Sequence, residues 1–75
     1  MGNRLPMLKA RDIIRALKLL GFQEFRQSGA HLFLKHPDGR VTTIPKHSGN
    51  DIGRGLMRQI LKDIHITPEE FIKYL

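Results

Sequence analysis

Between Phe22 and Pro45 the chain offers three strand-like segments joined by links of two and three residues, and that shortness constrains the fold more than any other feature. Phe22 to Gln27 (FQEFRQ) comes first, Ala30 to His36 (AHLFLKH) second, and Arg40 to Pro45 (RVTTIP), rich in β-branched residues, third. A parallel pairing would need a crossover of a dozen residues or more, so neighbours tied this closely must run antiparallel. Asp38 and Gly39 carry the turn chemistry of the second hairpin. Pro45, which has no amide proton to donate, ends the third strand.

The flanks read as helices. In ARDIIRALKLL, residues 10–20, Ile13, Ile14, Leu17 and Leu20 share one face, Arg11, Arg15 and Lys18 another, and Gly21 is the stop. No capping side chain stands before Ala10, so the start near Lys9 is loosely defined. KHSGNDIGRG reads as a loop in which Asn50 or Asp51 caps a second helix through IGRGLMRQILKDI. There Leu56, Met57, Ile60, Leu61 and Ile64 repeat at helical spacing opposite Arg54, Arg58 and Lys62. Thr67, Pro68 and Glu70 form a capping box for a short last helix, expected to pack by Phe71, Ile72 and Leu75. The expected architecture is α+β: a three-stranded antiparallel sheet with two main helices on one face, α-β-β-β-α, and a short C-terminal helix, in one domain over residues 1–75.

A chain of 75 residues buries only about 60% of its unfolded surface, and without cysteine no disulfide or thiolate metal site supplements the core. No apolar run is long enough to span a bilayer and no signal-peptide pattern opens the chain, so a soluble, cytoplasmic protein without membrane association is expected. The formal charge of +6 is unevenly placed: residues 1–50 carry nine basic and three acidic side chains, residues 51–75 four of each. A positive field concentrated in one part of so small a body attracts polyanions, which makes nucleic acid the first partner to consider.

Alternation puts His31, Phe33 and Lys35 on one side of the second strand and Ala30, Leu32 and Leu34 on the other. Both sides carry apolar residues, so either could meet the helices, and the uncovered one would call for a partner or a second copy of the chain, a homodimer. His31 follows Ser28, Gly29 and Ala30, small residues that let a phosphate approach. A histidine there can move the proton of an RNA 2′-hydroxyl or protonate a departing 5′-oxygen, or it can simply be a cross-strand residue bonded to backbone. His36 sits at a turn, His47 in the loop after Lys46 and His65 between two helices. Neither histidine spacing nor the scattered acids suggests a metal site. The glycines of GNDIGRG lead into a helix N-terminus, which favours phosphate, although a flexible loop with an N-cap is the simpler reading.

Taken together, FRQSGAHLFLKHPDGRVTTIPKH and DIGRGLMRQILKDIHITPEEF resemble the HicA (YcfA-like) family of toxins from prokaryotic toxin-antitoxin pairs, over about Asp12 to Phe71. The shared elements run in order: Gly-Phe after the first helix, Arg-Gln before a Gly-small-His strand start, His-Pro-Asp-Gly-Arg at the hairpin, Pro-x-His after the third strand, and Gly-x-x-Arg-x-Ile-Leu-Lys on the second helix. Ala30 stands where the motif commonly has serine, Leu32 where many members have a second histidine, and Leu56 where threonine is frequent.

The resemblance implies a double-stranded-RNA-binding-domain-like fold and an mRNA-cleaving endoribonuclease that uses no metal or other cofactor and is covered by a HicB antitoxin. The family's catalytic histidine falls on His31. Gly29, Lys35, Arg40, Lys46, His47, Arg54 and Arg58 are the expected RNA contacts, with His47 or Lys46 a second proton-transfer group. The alternative is a module that grips double-stranded RNA without cleaving it, or an inactive member of the family.

Overall fold

The computed structural model describes residues 7–46 and 51–75. In chain order the elements are β1 (Leu8–Lys9), α1 (Ala10–Leu19), β2 (Gln23–Ser28), β3 (His31–Lys35), β4 (Val41–Pro45), β5 (Asp51–Ile52), α2 (Arg54–Ile64) and α3 (Pro68–Ile72). The three central strands form an antiparallel sheet in the order β2-β3-β4, while β1 and β5 pair in a separate two-stranded ribbon.

The helices meet one sheet face only. Leu32, Leu34, Thr42 and Ile44 point inward, where the three apolar ones join Ile13, Ile14 and Leu17 of α1, Met57, Ile60, Leu61 and Ile64 of α2, and Phe71 of α3 in one cluster. Both main helices therefore cover the same side. By alternation and register, Ser28, His31 and Pro45 share the opposite, uncovered side with Phe33, Thr43, Lys35 and Val41. The one buried polar side chain among the described residues, Thr42 at 2% exposure, donates its hydroxyl to Asp63 Oδ2 at 3.1 Å on the last turn of α2.

Turn geometry explains the strand boundaries. Gly29 and Ala30 make a two-residue turn between Ser28 and His31, with a left-handed φ of 58° at Gly29 alone, the pattern of a turn that takes glycine at its first central position. After α1, the Gly21 amide donates to Lys18 and the Phe22 amide to Leu17, at 3.0 and 2.9 Å, which turns Phe22 into the core. Gly21 has φ 106°, and a Cβ there would lie 2.9 Å from Nε2 of His36. The site needs glycine for both reasons.

Four expectations change. The expected loop before α2 contains β5, because Asp51 and Ile52 pair with Lys9 and Leu8 and Lys9 Nζ reaches Asp51 Oδ1 at 3.2 Å. Asp51 is thereby unable to cap α2. The N-cap is Gly53, with no side-chain bond, and Asn50 lies outside the described residues. Leu56 is exposed, since α2 buries only the stripe of Met57, Ile60, Leu61 and Ile64. In α3, Thr67 Oγ1 accepts from the Glu70 amide as expected, but the Glu70 carboxylate turns to Lys73 at 3.4 Å, and Ile72 and Leu75 are exposed. Phe71 alone is buried there, with Tyr74 partly buried beside it, because so short a helix has room for one inward position.

Candidate nucleic-acid interface

His31 is the first residue of β3, paired with Ser28 on one side and Pro45 on the other, and its side chain is exposed on the uncovered face. That side chain makes no hydrogen bond or ion pair with another described residue. The ladder continues one step past it, where the Lys46 amide donates to the Ala30 carbonyl. That bond ties the backbone of Lys46 to the turn that presents His31. The small residues of this turn leave the approach open: a Cβ on Gly29 would meet nothing within 4 Å.

The expected contacts do not all gather around His31. Lys35 closes the other end of β3, opposite Gln23 and Val41, four residues or about 13 Å away along the strand. Arg40 is engaged in the fold: its Nε lies 2.8 Å from Asp38 Oδ2, its Nη1 donates to the Ile64 carbonyl at 2.5 Å, and its guanidinium stacks 5.2 Å from the Phe22 ring centre. His36, edge-on to Phe22 at 5.1 Å, accepts the Asp38 amide on Nδ1 within the same turn. His65 holds φ 56° at the C-terminal stop of α2, where its amide donates to Lys62 and that of Ile66 to Leu61.

The Arg40–Ile64 and Thr42–Asp63 bonds pin the C-terminal end of α2 beside the start of β4. The last turn of α2 thus lies at the start of β4, the end of that strand away from Pro45 and His31. Arg54 begins α2, at the opposite end of the helix from these two bonds, and Arg58 follows one turn along, about 6 Å further on the axis. His47 lies outside the described residues.

Lys46 belongs to a cluster that pattern reading did not single out. It lines an open cleft of about 470 Å³ with Arg11, Ile14, Arg15, Lys18, Leu19 and Glu24. The cleft is basic, with one carboxylate. Glu24 is paired with Lys18 at 2.7 Å, and that hydrogen bond holds its carboxyl below the ordinary range. The spacing of Arg11, Arg15 and Lys18 on one helical face was visible in the sequence. That the same face adjoins the end of β4 was not.

A second cluster lies on the uncovered face itself. The β2–β3 register shifts between Glu24 and Arg26, so Phe25 and Arg26 together oppose Phe33. The rings of Phe25 and Phe33 meet edge to face at 6.2 Å, the Arg26 guanidinium lies 5.6 Å from the Phe33 ring centre, and Phe25 remains 53% exposed.

Among the described residues no three His, Cys, Asp or Glu side chains come together as a metal site would require, and no helix is long and apolar enough to cross a membrane. No curated protein matches the chain. A family model described as the HicA toxin of bacterial toxin-antitoxin systems matches residues 10–66, which run from the first residue of α1 to the turn after α2.

Proposed function

Since the chain belongs to the HicA toxin family of bacterial toxin-antitoxin systems, we propose that it is an endoribonuclease that cleaves mRNA through His31 without a metal. Membership of the family implies pairing with an antitoxin, and we take that antitoxin to be HicB-like and to cover His31.

The observation that carries this reading is the position of His31. It is exposed at a strand start whose turn is hydrogen-bonded to Lys46, and Lys46 opens onto a cleft lined by Arg11, Arg15 and Lys18. An imidazole can exchange a proton near neutral pH, so His31 can remove the 2′-hydroxyl proton or deliver one to the leaving oxygen. In the first role the 2′-oxygen attacks the adjacent phosphorus, the bond from phosphorus to the 5′-oxygen breaks, and the products are a 2′,3′-cyclic phosphate and a 5′-hydroxyl. Lys46 and Arg54, with Arg58 behind it, would hold phosphates and offset the charge that develops on phosphorus. A second proton carrier is needed, for which Lys46 and His47 are the candidates. Lys35 and Gly29 serve differently: Lys35 is too far along the strand to reach the same phosphate, and Gly29 shapes the turn. Arg40 is left to the fold.

Incubation of RNA with the purified protein in excess EDTA tests the reading. Cleavage by wild type that is lost in His31→Ala, with both proteins folded, is expected. Absence of cleavage by wild type, or equal cleavage by the variant, would end it. In cells, growth arrest by wild type but not by His31→Ala at equal expression is the matching result.

A further inference from the structure

The uncovered sheet face carries more than His31. By strand register, its outward positions among the described residues are Gln23, Lys35 and Val41 in one row, Arg26, Phe33 and Thr43 in the next, and Ser28, His31 and Pro45 in the last. Phe25 is added at the irregularity in β2. No carboxylate projects from this face among the described residues. Glu24 pairs in register with inward-facing Leu34 and bonds Lys18 of α1, and Asp38 is held by Arg40 in the turn. The face is therefore cationic with an aromatic centre, complementary to a polyanion that carries flat apolar groups.

The irregularity creates the aromatic centre. With unbroken alternation from Glu24, Arg26 would point inward and Ser28 would not share a side with His31. Two consecutive residues opposing Phe33 put Phe25 and Arg26 on the same face as that ring, where aromatic and guanidinium planes cluster. Bases of unpaired RNA stack on such planes, whereas a duplex keeps its bases stacked within itself and offers only its backbone and groove edges. Phe33 lies two residues from His31 on the same strand, about 7 Å away, comparable with the span of one nucleotide in an extended strand.

We infer that single-stranded RNA lies along this face, with a base stacked on the Phe25–Arg26–Phe33 cluster, so that the neighbouring ribose and phosphate are delivered to His31. The inference rests on the ribonuclease reading and specifies its substrate as unpaired RNA. Phe25, Arg26 and Phe33 are positioning residues: they hold the nucleotide beside the scissile one and take no part in proton transfer. Lys35, at the far end of the face, contacts a phosphate further along the strand.

The chain contains no tryptophan, so Phe33→Trp provides a single reporter. In a His31→Ala background, titration with oligouridine should quench its emission, and a perfectly paired RNA duplex should bind at least about tenfold more weakly. Phe25→Ala and Phe33→Leu should each weaken oligouridine binding by about tenfold, within the range for losing one stacked base, with Phe33→Trp retaining it and thermal melting confirming that each variant folds. In the cleaving protein the same loss should appear as a raised KM with kcat little changed. Four results would overturn the inference: unchanged emission at RNA concentrations that saturate binding by anisotropy, equal affinity of Phe25→Ala, preference for the duplex, or emission that responds only to the antitoxin, which would make the face a protein-docking surface. Quenching by oligouridine without cleavage by the wild type would sink the ribonuclease reading and leave the stacking site. Cleavage with an unchanged KM in both phenylalanine variants would do the reverse.

Discussion

The guanidinium of Arg40 donates to the carbonyl oxygen of Ile64 at 2.5 Å, joining the β3–β4 hairpin to the end of α2. The last carbonyls of a helix have no partner within it, and this one is satisfied by a side chain that Asp38 and the Phe22 ring hold in place.

Replacing Arg40 should therefore cost stability and leave chemistry intact. Arg40→Lys cannot bond Asp38 and Ile64 at once and is expected to lose about 1–2 kcal/mol, seen as a fall of about 4–8 °C in Tm per kcal/mol. RNA cleavage measured well below the transition should be unchanged. A loss of cleavage at an unchanged Tm would return Arg40 to the RNA-binding surface.

Gly21 is required twice over. Gly21→Ala must adopt φ 106° and must fit a Cβ 2.9 Å from Nε2 of His36, and a loss of about 2 kcal/mol or more is expected by denaturant unfolding. The double variant Gly21→Ala/His36→Ala removes the clash but not the backbone cost. It should recover part of the loss relative to His36→Ala alone, and full recovery would show that φ is unimportant.

His65 holds a left-handed conformation that favours glycine, with φ 56° at the end of α2. His65→Gly is expected to stabilise the fold by about 1 kcal/mol. Unchanged RNA cleavage in this variant would agree with a purely structural role.

Two exposed carboxylates make a small part of the fold's stability sensitive to acid. Hydrogen bonds from Lys18 to Glu24 and from Arg40 to Asp38 lower both acids below their ordinary values of 4.5 and 3.8. The folded protein thus releases these protons more readily than the unfolded chain. Their contribution is fully present above the ordinary values and is lost as the pH falls through the lower folded ones. Urea midpoints measured from about pH 6 to about pH 2 should decline in that acid range, and Lys18→Met should flatten the part that comes from Glu24.

Thr42 and Asp63 form the polar contact inside the α2–β4 interface, at 3.1 Å. Asp63→Ala leaves the buried hydroxyl unsatisfied and should cost about 1–3 kcal/mol. Thr42→Val in that background should restore part of the loss, because it removes the group left without a partner. No restoration would place the cost in the Gln59–Asp63 bond instead, also 3.1 Å long.

The local pattern of residues determined the elements and their order. Short links made β2, β3 and β4 antiparallel, apolar spacing made α1 and α2 amphipathic, and Gly21 and Gly39 stand where the backbone takes positive φ. Gly29, His31 and the Pro37–Arg40 hairpin carry the resemblance to the HicA family in the residues alone. Tertiary structure decided what depends on residues far apart in the chain. Leu8 and Lys9 become a strand only because Ile52 and Asp51 lie beside them, and Asp51 is thereby lost as a helix cap. Leu32 rather than His31 faces inward because both helices need that surface, a choice that alternation leaves open when both sides are apolar. The register shift at Phe25 and the meeting of Lys46 with Arg11 and Arg15 follow from how β2 lies on β3 and how α1 lies against the sheet. Periodicity assigns each residue to a face of its own element, but packing chooses which faces meet, because the burial that drives the choice is shared between segments that carry no local record of one another.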